Sequence, residues 1–117
     1  MTFLFSGSRQ VNEWQPPVDV YRTQEGWLLK FDLAGVRLDD VKVQVSRRLV
    51  SLAGVRRDRV EEAGCRHYSM EITYSRFERT VELPEEVQGS DVSVEYRDGI
   101  LHVRISAHGS ERTDRSS

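Results

Sequence analysis

Hydrophobic and polar side chains alternate along most of this chain. Alternation at every second position is typical of a β-strand with one face on a core and the other in water. It also favours antiparallel sheets, because strands buried on both faces lose their polar positions. The pattern predicts strands over 18–23, 27–33, 41–45, 50–53, 77–83, 92–96 and 101–105. Segments 38–41 and 85–87 are each long enough for one helical turn, and we predict no long helix.

Turn signals separate these runs and define the organisation of the chain. Asp98-Gly99 lies between two predicted strands and is the strongest short hairpin signal. Pro84 ends another strand, because proline cannot donate to a β-ladder. The polar segment 56–69 predicts a long connection between strands, which usually has a functional reason. Short strands at this spacing predict an antiparallel β-sandwich.

Length, charge and cysteine content exclude several classes. A chain of 117 residues is one domain and can bury a core without disulfides or metal. Nineteen acidic residues against 17 basic ones give a net charge of −2, so we expect neither nucleic acid nor a membrane as partner. The single Cys65 fits a reducing compartment. With no apolar run long enough for a membrane span and no signal peptide, we expect a cytoplasmic protein.

Candidate catalytic or metal-binding residues are few. Cys65 and His67 lie two residues apart in the long connection, without a third group to orient them. His102 and His108 are too scattered to complete a zinc site with them. No glycine-rich phosphate loop is present. We therefore expect no enzyme activity, no cofactor, no metal and no small-molecule substrate.

Arg79 is out of place in its strand. It shares the parity of Phe77, Val81 and Leu83, so it is predicted on the apolar face, where an unpaired charge is costly. One interpretation is an edge arginine whose stem packs while its head reaches water. The other is an arginine held by carboxylates of a second chain. Fifteen of the 17 basic residues are arginine. Arginine suits protein interfaces, but a GC-rich genome also encodes it often.

Four motifs occur in order between residues 17 and 105. The first is the hairpin Asp98-Gly99-Ile100-Leu101, and the second is a Phe-x-Arg strand within 74–84 that ends in Leu-Pro. The other two lie within 17–36 and 49–54. Together the four motifs resemble the α-crystallin domain of small heat-shock proteins, although that family usually has a proline at the position of Ala34.

This resemblance implies an immunoglobulin-like sandwich of seven to nine strands over 16–106, between a short arm (1–15) and a flexible tail (107–117). It implies an ATP-independent holdase that binds partly unfolded client proteins and suppresses their aggregation. It also implies a homodimer in which a strand near Arg66–Met70 crosses to the partner's first strand. The implied dimer interface consists of Val18, Val20, Tyr21, Arg66, His67, Tyr68, Met70 and Arg79.

The resemblance also implies a client groove between two edge strands. Its lining is expected to be Val43, Val45, Val92 and Val94, for which plain core packing is the alternative. The chain has no Ile, Val or Leu after Ile105, so it lacks the family's C-terminal assembly motif. Apolar residues of the arm are expected to serve as an anchor instead, namely Phe3, Leu4, Phe5, Val11 and Trp14. We expect a dimer or small oligomer; an adaptor that docks one specific protein partner is the alternative function.

Overall fold

The computed structural model describes residues 14–60 and 62–107. This part of the chain forms seven strands and one short 3-10 turn at Leu38–Asp40. The strands are β1 (Val18–Arg22), β2 (Gly26–Asp32), β3 (Val41–Ser46), β4 (Leu49–Val55), β5 (Arg76–Glu82), β6 (Asp91–Arg97) and β7 (Ile100–Ser106).

The strands form two antiparallel sheets, as the alternation predicted. One sheet has the order β1-β2-β7-β6 and the other the order β3-β4-β5. The all-β fold class is confirmed, with seven strands in the described residues. Within that part of the chain, no helix is long and apolar enough to cross a membrane.

The core lies between the two sheets and is built by alternate residues. The buried side chains from the strands are Trp27, Leu29, Phe31, Val50, Leu52, Phe77, Leu101, Val103 and Ile105. Leu33, Val36, Leu83 and Val87 close the core from the connections. In β2, β4, β5 and β7, alternate side chains are thus removed from water, and this burial is the main source of stability.

The β6–β7 hairpin has the predicted turn. Asp98 and Gly99 have φ angles of 54° and 79°, the left-handed pair that a type I′ turn requires. Ile100 and Leu101 then begin β7, where Leu101 is fully buried. The Asp-Gly sequence therefore sets the register of these two strands.

The connections differ from the prediction in two places. Segment 85–87 forms no helix. The long connection runs from Arg56 to Ser75, beyond the predicted end at residue 69, and its described residues contain no strand. A strand needs a neighbour for its backbone hydrogen bonds, and the described part of one chain offers none to Arg66–Met70.

The segment before β1 shows which edges of the two sheets face each other. Trp14 forms an isolated parallel bridge with Phe77 of β5, and Arg79 of β5 donates a hydrogen bond to the Pro16 carbonyl at 3.0 Å. The β5 edge therefore lies on the same side of the sandwich as β1. By the strand orders, β3 and β6 are the edges on the opposite side.

We expect Leu52→Ala to lower the free energy of unfolding by about 2–5 kcal/mol, because it leaves a cavity in the core. Leu49→Ala is the matched control, since Leu49 lies on the same strand but is 39% exposed, whereas Leu52 is fully buried. Urea unfolding followed by circular dichroism measures both. Equal losses for the two variants would contradict this account of the core.

Candidate functional site

The open side of the sandwich exposes the inward-facing valines of two edge strands. Val43 and Val45 pair in register with the buried Leu52 and Val50, so they face inward. Both pack against the core while remaining half-buried. Each has a neighbouring strand on only one side, which leaves the other side of its side chain uncovered.

The facing strand β6 is more open still. Val92 and Val94 pair with the buried Ile105 and Val103 and also face inward, yet they are 40% and 41% exposed. We give the name β3–β6 groove to the partly exposed surface formed by Val43 and Val45 of β3 and Val92 and Val94 of β6. A plain core would bury these residues, so this surface is available to apolar ligands.

The long connection is the second exposed apolar surface. From Arg57 to Ile72 every described residue is exposed, and Tyr68 is fully so. We call residues 56–75 the exposed loop. Tyr68 and Met70 line a depression of about 500 Å³ together with Arg66, His67 and other residues of this loop. The structure thus brings the predicted loop residues together in one patch.

The predicted partner of this loop, β1, is a sheet edge. Val20 and Tyr21 are both exposed, and Val18 is half-buried against the core. The Lys30 ammonium lies 5.2 Å from the centre of the Tyr21 ring. The outer edge of β1 therefore offers backbone groups that can hydrogen-bond with an added strand.

Arg79 lies on the inner face of β5, as its parity predicted. It is half-buried, and its guanidinium donates to the Pro16 carbonyl at 3.0 Å. No carboxylate of the described residues lies within ion-pair range of it. Within one chain Arg79 therefore fastens the segment before β1 to β5, and its pairing with a second chain stays a prediction.

The predicted N-terminal anchor falls mostly outside the described residues, which exclude Phe3, Leu4, Phe5 and Val11. Trp14 is described, and its ring lies edge-on to Phe77 with a centroid distance of 5.2 Å. A further contact was not predicted: the Arg56 guanidinium lies 3.8 Å from the Trp14 ring centre. Its only signal was a basic residue at the start of the predicted long connection.

The catalytic and metal-binding candidates form no site in the described residues. No group of three His, Cys, Asp or Glu side chains is placed to hold a metal ion. Cys65 is an exposed free thiol, and the His67 imidazole lies 3.9 Å from the Asp58 carboxylate. The arrangement offers surfaces and edges for binding protein chains.

Comparisons with known proteins agree with the fold and the motifs. The sequence profile of the Hsp20/alpha crystallin family matches residues 19–116. Small heat shock protein C2 of Rickettsia felis is 26% identical over 104 residues, covering 89% of this chain and 67% of that protein. Spore protein SP21 of Stigmatella aurantiaca is 34% identical over 90 residues, covering 77% of this chain and 53% of that protein. This chain thus spans between half and two thirds of their lengths.

Solved structures show the same architecture. Heat shock protein 16.0 from Schizosaccharomyces pombe superposes with a TM-score of 0.73 at 21% identity, covering 81% of this chain and 88% of that one. The hspA of Xanthomonas axonopodis gives 0.64 at 26% identity, covering 81% and 95%.

We expect Arg79→Ala to lower the free energy of unfolding of the monomer by about 1–3 kcal/mol, because the Pro16 carbonyl loses its donor. Arg76→Ala is the matched control, since Arg76 is an exposed residue of the same strand. Chemical unfolding at dilute concentration measures both variants. An Arg79→Ala protein as stable as the Arg76→Ala protein would contradict the role of this hydrogen bond.

Proposed function

The chain belongs to the Hsp20/alpha crystallin family of small heat-shock proteins, and on that premise we propose that it is a holdase that binds partly unfolded proteins. Members of this family are ATP-independent chaperones rather than enzymes. The observation that carries the proposal is the β3–β6 groove, in which Val92 and Val94 remain about two-fifths exposed although they face inward.

The physics of the groove suits a holdase. Unfolding proteins display apolar segments and unpaired strand edges, and the groove combines apolar side chains with two free edges. Burial of apolar surface stabilises a complex by about 25 cal/mol per Å², so a groove with a few valine anchors binds weakly. Weak contacts that act together give reversible capture of many sequences.

We propose that the working unit is a homodimer formed by strand exchange. In this arrangement Arg66–Met70 of the exposed loop pairs with β1 of the partner, through Val18, Val20 and Tyr21. Support comes from the exposure of both surfaces and from the absence of a strand partner for Arg66–Met70 within the described residues. Exchange would cover the β1 edge, which is otherwise open to aggregation.

The same proposal keeps the predicted organisation of the chain. Residues 16–106 form the domain, 1–15 an apolar arm and 107–117 a tail, and the assembly is a dimer or small oligomer. The free Cys65 supports a reducing, cytoplasmic setting. The alternative function is an adaptor that docks one specific protein partner.

We expect the protein to suppress heat aggregation of several unrelated proteins at near-stoichiometric ratio, measured by light scattering. Val94→Asp should abolish most of this suppression, because a carboxylate in the groove is costly to bury against an apolar client. Ser93→Asp is the matched control, since Ser93 is exposed on the same strand and points to the opposite face.

Two results would decide against the holdase. Protection of no client by the unaltered protein would favour the adaptor. Equal activity of the Val94→Asp and Ser93→Asp proteins would remove the groove from the mechanism. Because position 94 is 41% exposed, both variants are expected to fold, which circular dichroism checks.

We expect Tyr68→Pro to weaken the dimer strongly, because proline removes a backbone donor from the exchanged strand. The control is Ala63→Pro in the same exposed loop. Ala63 precedes Gly64, which has a φ of 83°, and the Cys65 N–H donates to the Glu62 carbonyl, a turn that accepts proline at its second position. Analytical ultracentrifugation measures both dissociation constants, and an unaffected Tyr68→Pro dimer would exclude strand exchange at this segment.

A further inference from the structure

The exposed loop contacts its own domain through few of its residues. Every described residue from Arg57 to Ile72 is exposed, so no buried side chain of this stretch packs on the sandwich. The direction of the loop must therefore be set where it leaves β4 and where it returns to β5.

Arg56 joins these two ends. Its backbone N–H donates to the Ser75 carbonyl at 2.9 Å, and its Nε donates to the Thr73 carbonyl at 2.9 Å. Its guanidinium also reaches the Ala34 carbonyl in the turn after β2, at 3.2 Å. One half-buried side chain thus binds the return of the loop and fixes it to the other sheet.

The segment before β1 covers this arginine. The Trp14 ring centre lies 3.8 Å from the Arg56 guanidinium carbon, within the range of a cation–π interaction. The same ring packs edge-on against Phe77 at 5.2 Å, and Trp14 is bridged to that residue through its backbone. The Trp14 ring therefore covers Arg56 at the base of the exposed loop.

We propose that Arg56 is the positioning residue of the exposed loop and that Trp14 acts through it, so that the position of the N-terminal segment sets how the loop is presented to a second copy of the chain. The dimer part rests on the proposed function above. The link within one chain rests on Arg56 and its four contacts alone.

The other contact at the base of the loop is weaker. Arg57 and Arg59 both reach the Asp40 carboxylate, at 3.4 and 2.7 Å, but these guanidinium groups are more than one-third exposed, as is typical of surface ion pairs of small net value. Arg56 differs because it binds two carbonyls with a planar fork and stacks on a ring at once. Lysine has no such fork, so Arg56→Lys tests geometry at constant charge.

The single cysteine offers a probe without further substitution. Cys65 is free and exposed near the middle of the loop, so a nitroxide attached to it reports the motion of the loop by electron paramagnetic resonance. We compare Arg56→Ala, Arg56→Lys and Trp14→Leu with the unaltered chain, at a concentration where ultracentrifugation shows only monomer. Arg57→Ala is the matched control, since it removes the same charge from the adjacent residue and leaves the Arg59–Asp40 pair in place.

We expect the label to become more mobile in the three test variants and to stay unchanged in Arg57→Ala. Trp14→Leu keeps an apolar side chain on Phe77, so the domain remains folded. In the double variant Arg56→Ala/Trp14→Leu the label should be no more mobile than in Arg56→Ala alone, because the tryptophan acts through the arginine. Three results would each overturn the inference. They are equal label mobility in Arg56→Ala and Arg57→Ala, unchanged label mobility in Trp14→Leu, and fully additive effects of the two substitutions on label mobility in the double variant.

The dimer supplies a separate measurement. Loss of the Trp14–Arg56 contact should raise the dimer dissociation constant by up to about tenfold, because a loop that is less ordered in the monomer loses more conformational freedom when it pairs. If the unaltered chain never dimerises but the monomer mobilities differ as expected, the proposed dimer fails and the link from Trp14 to the loop stands. If the dimer forms with the same affinity and mobility in every variant, only the link fails.

Discussion

A sandwich of two open sheets has four edge strands, and the way each edge is covered determines what this molecule can bind. Here the edges are β1 and β5 on one side and β3 and β6 on the other. An uncovered edge presents unpaired backbone groups to any other chain. The segment before β1 protects part of the β5 edge through Trp14 and Pro16. The β3 and β6 edges keep their apolar side chains partly exposed. The proposed chaperone activity depends on this difference between the two sides.

Much of the fold follows from local patterns in the sequence. Each predicted strand overlaps an observed one, because alternation fixes both the extended backbone and the buried face. Asp98-Gly99 located its hairpin because few residue pairs accept two left-handed conformations in succession. Arg79 was predicted on the inner face by parity alone. The family resemblance is confirmed by the match to residues 19–116.

Other features depend on contacts between distant residues and left no local signal. The partner of Arg79 within the chain is the Pro16 carbonyl, and any residue type supplies a carbonyl, so sequence composition carries no trace of it. The same holds for the carbonyls of Ala34 and Thr73 that bind Arg56. The exposed loop was predicted too short, because Ile72 and Tyr74 are apolar residues that remain outside the core. For the four valines of the groove, core packing and groove lining were left as alternatives, because alternation looks the same in an edge strand and in a central one.

Pro16 lies beside the β5 edge and Pro17 accepts a hydrogen bond from Asp32 of β2, and together they restrict the direction in which sheets of this protein can grow. Neither residue has a backbone N–H, and the Pro16 carbonyl already accepts a hydrogen bond from Arg79. A further strand arriving there finds no regular ladder to extend. The three-stranded sheet is therefore extendable at β3 and capped near β5, so it has one growing end. An added strand is thereby directed to β3, on the side of the sandwich that carries the β3–β6 groove.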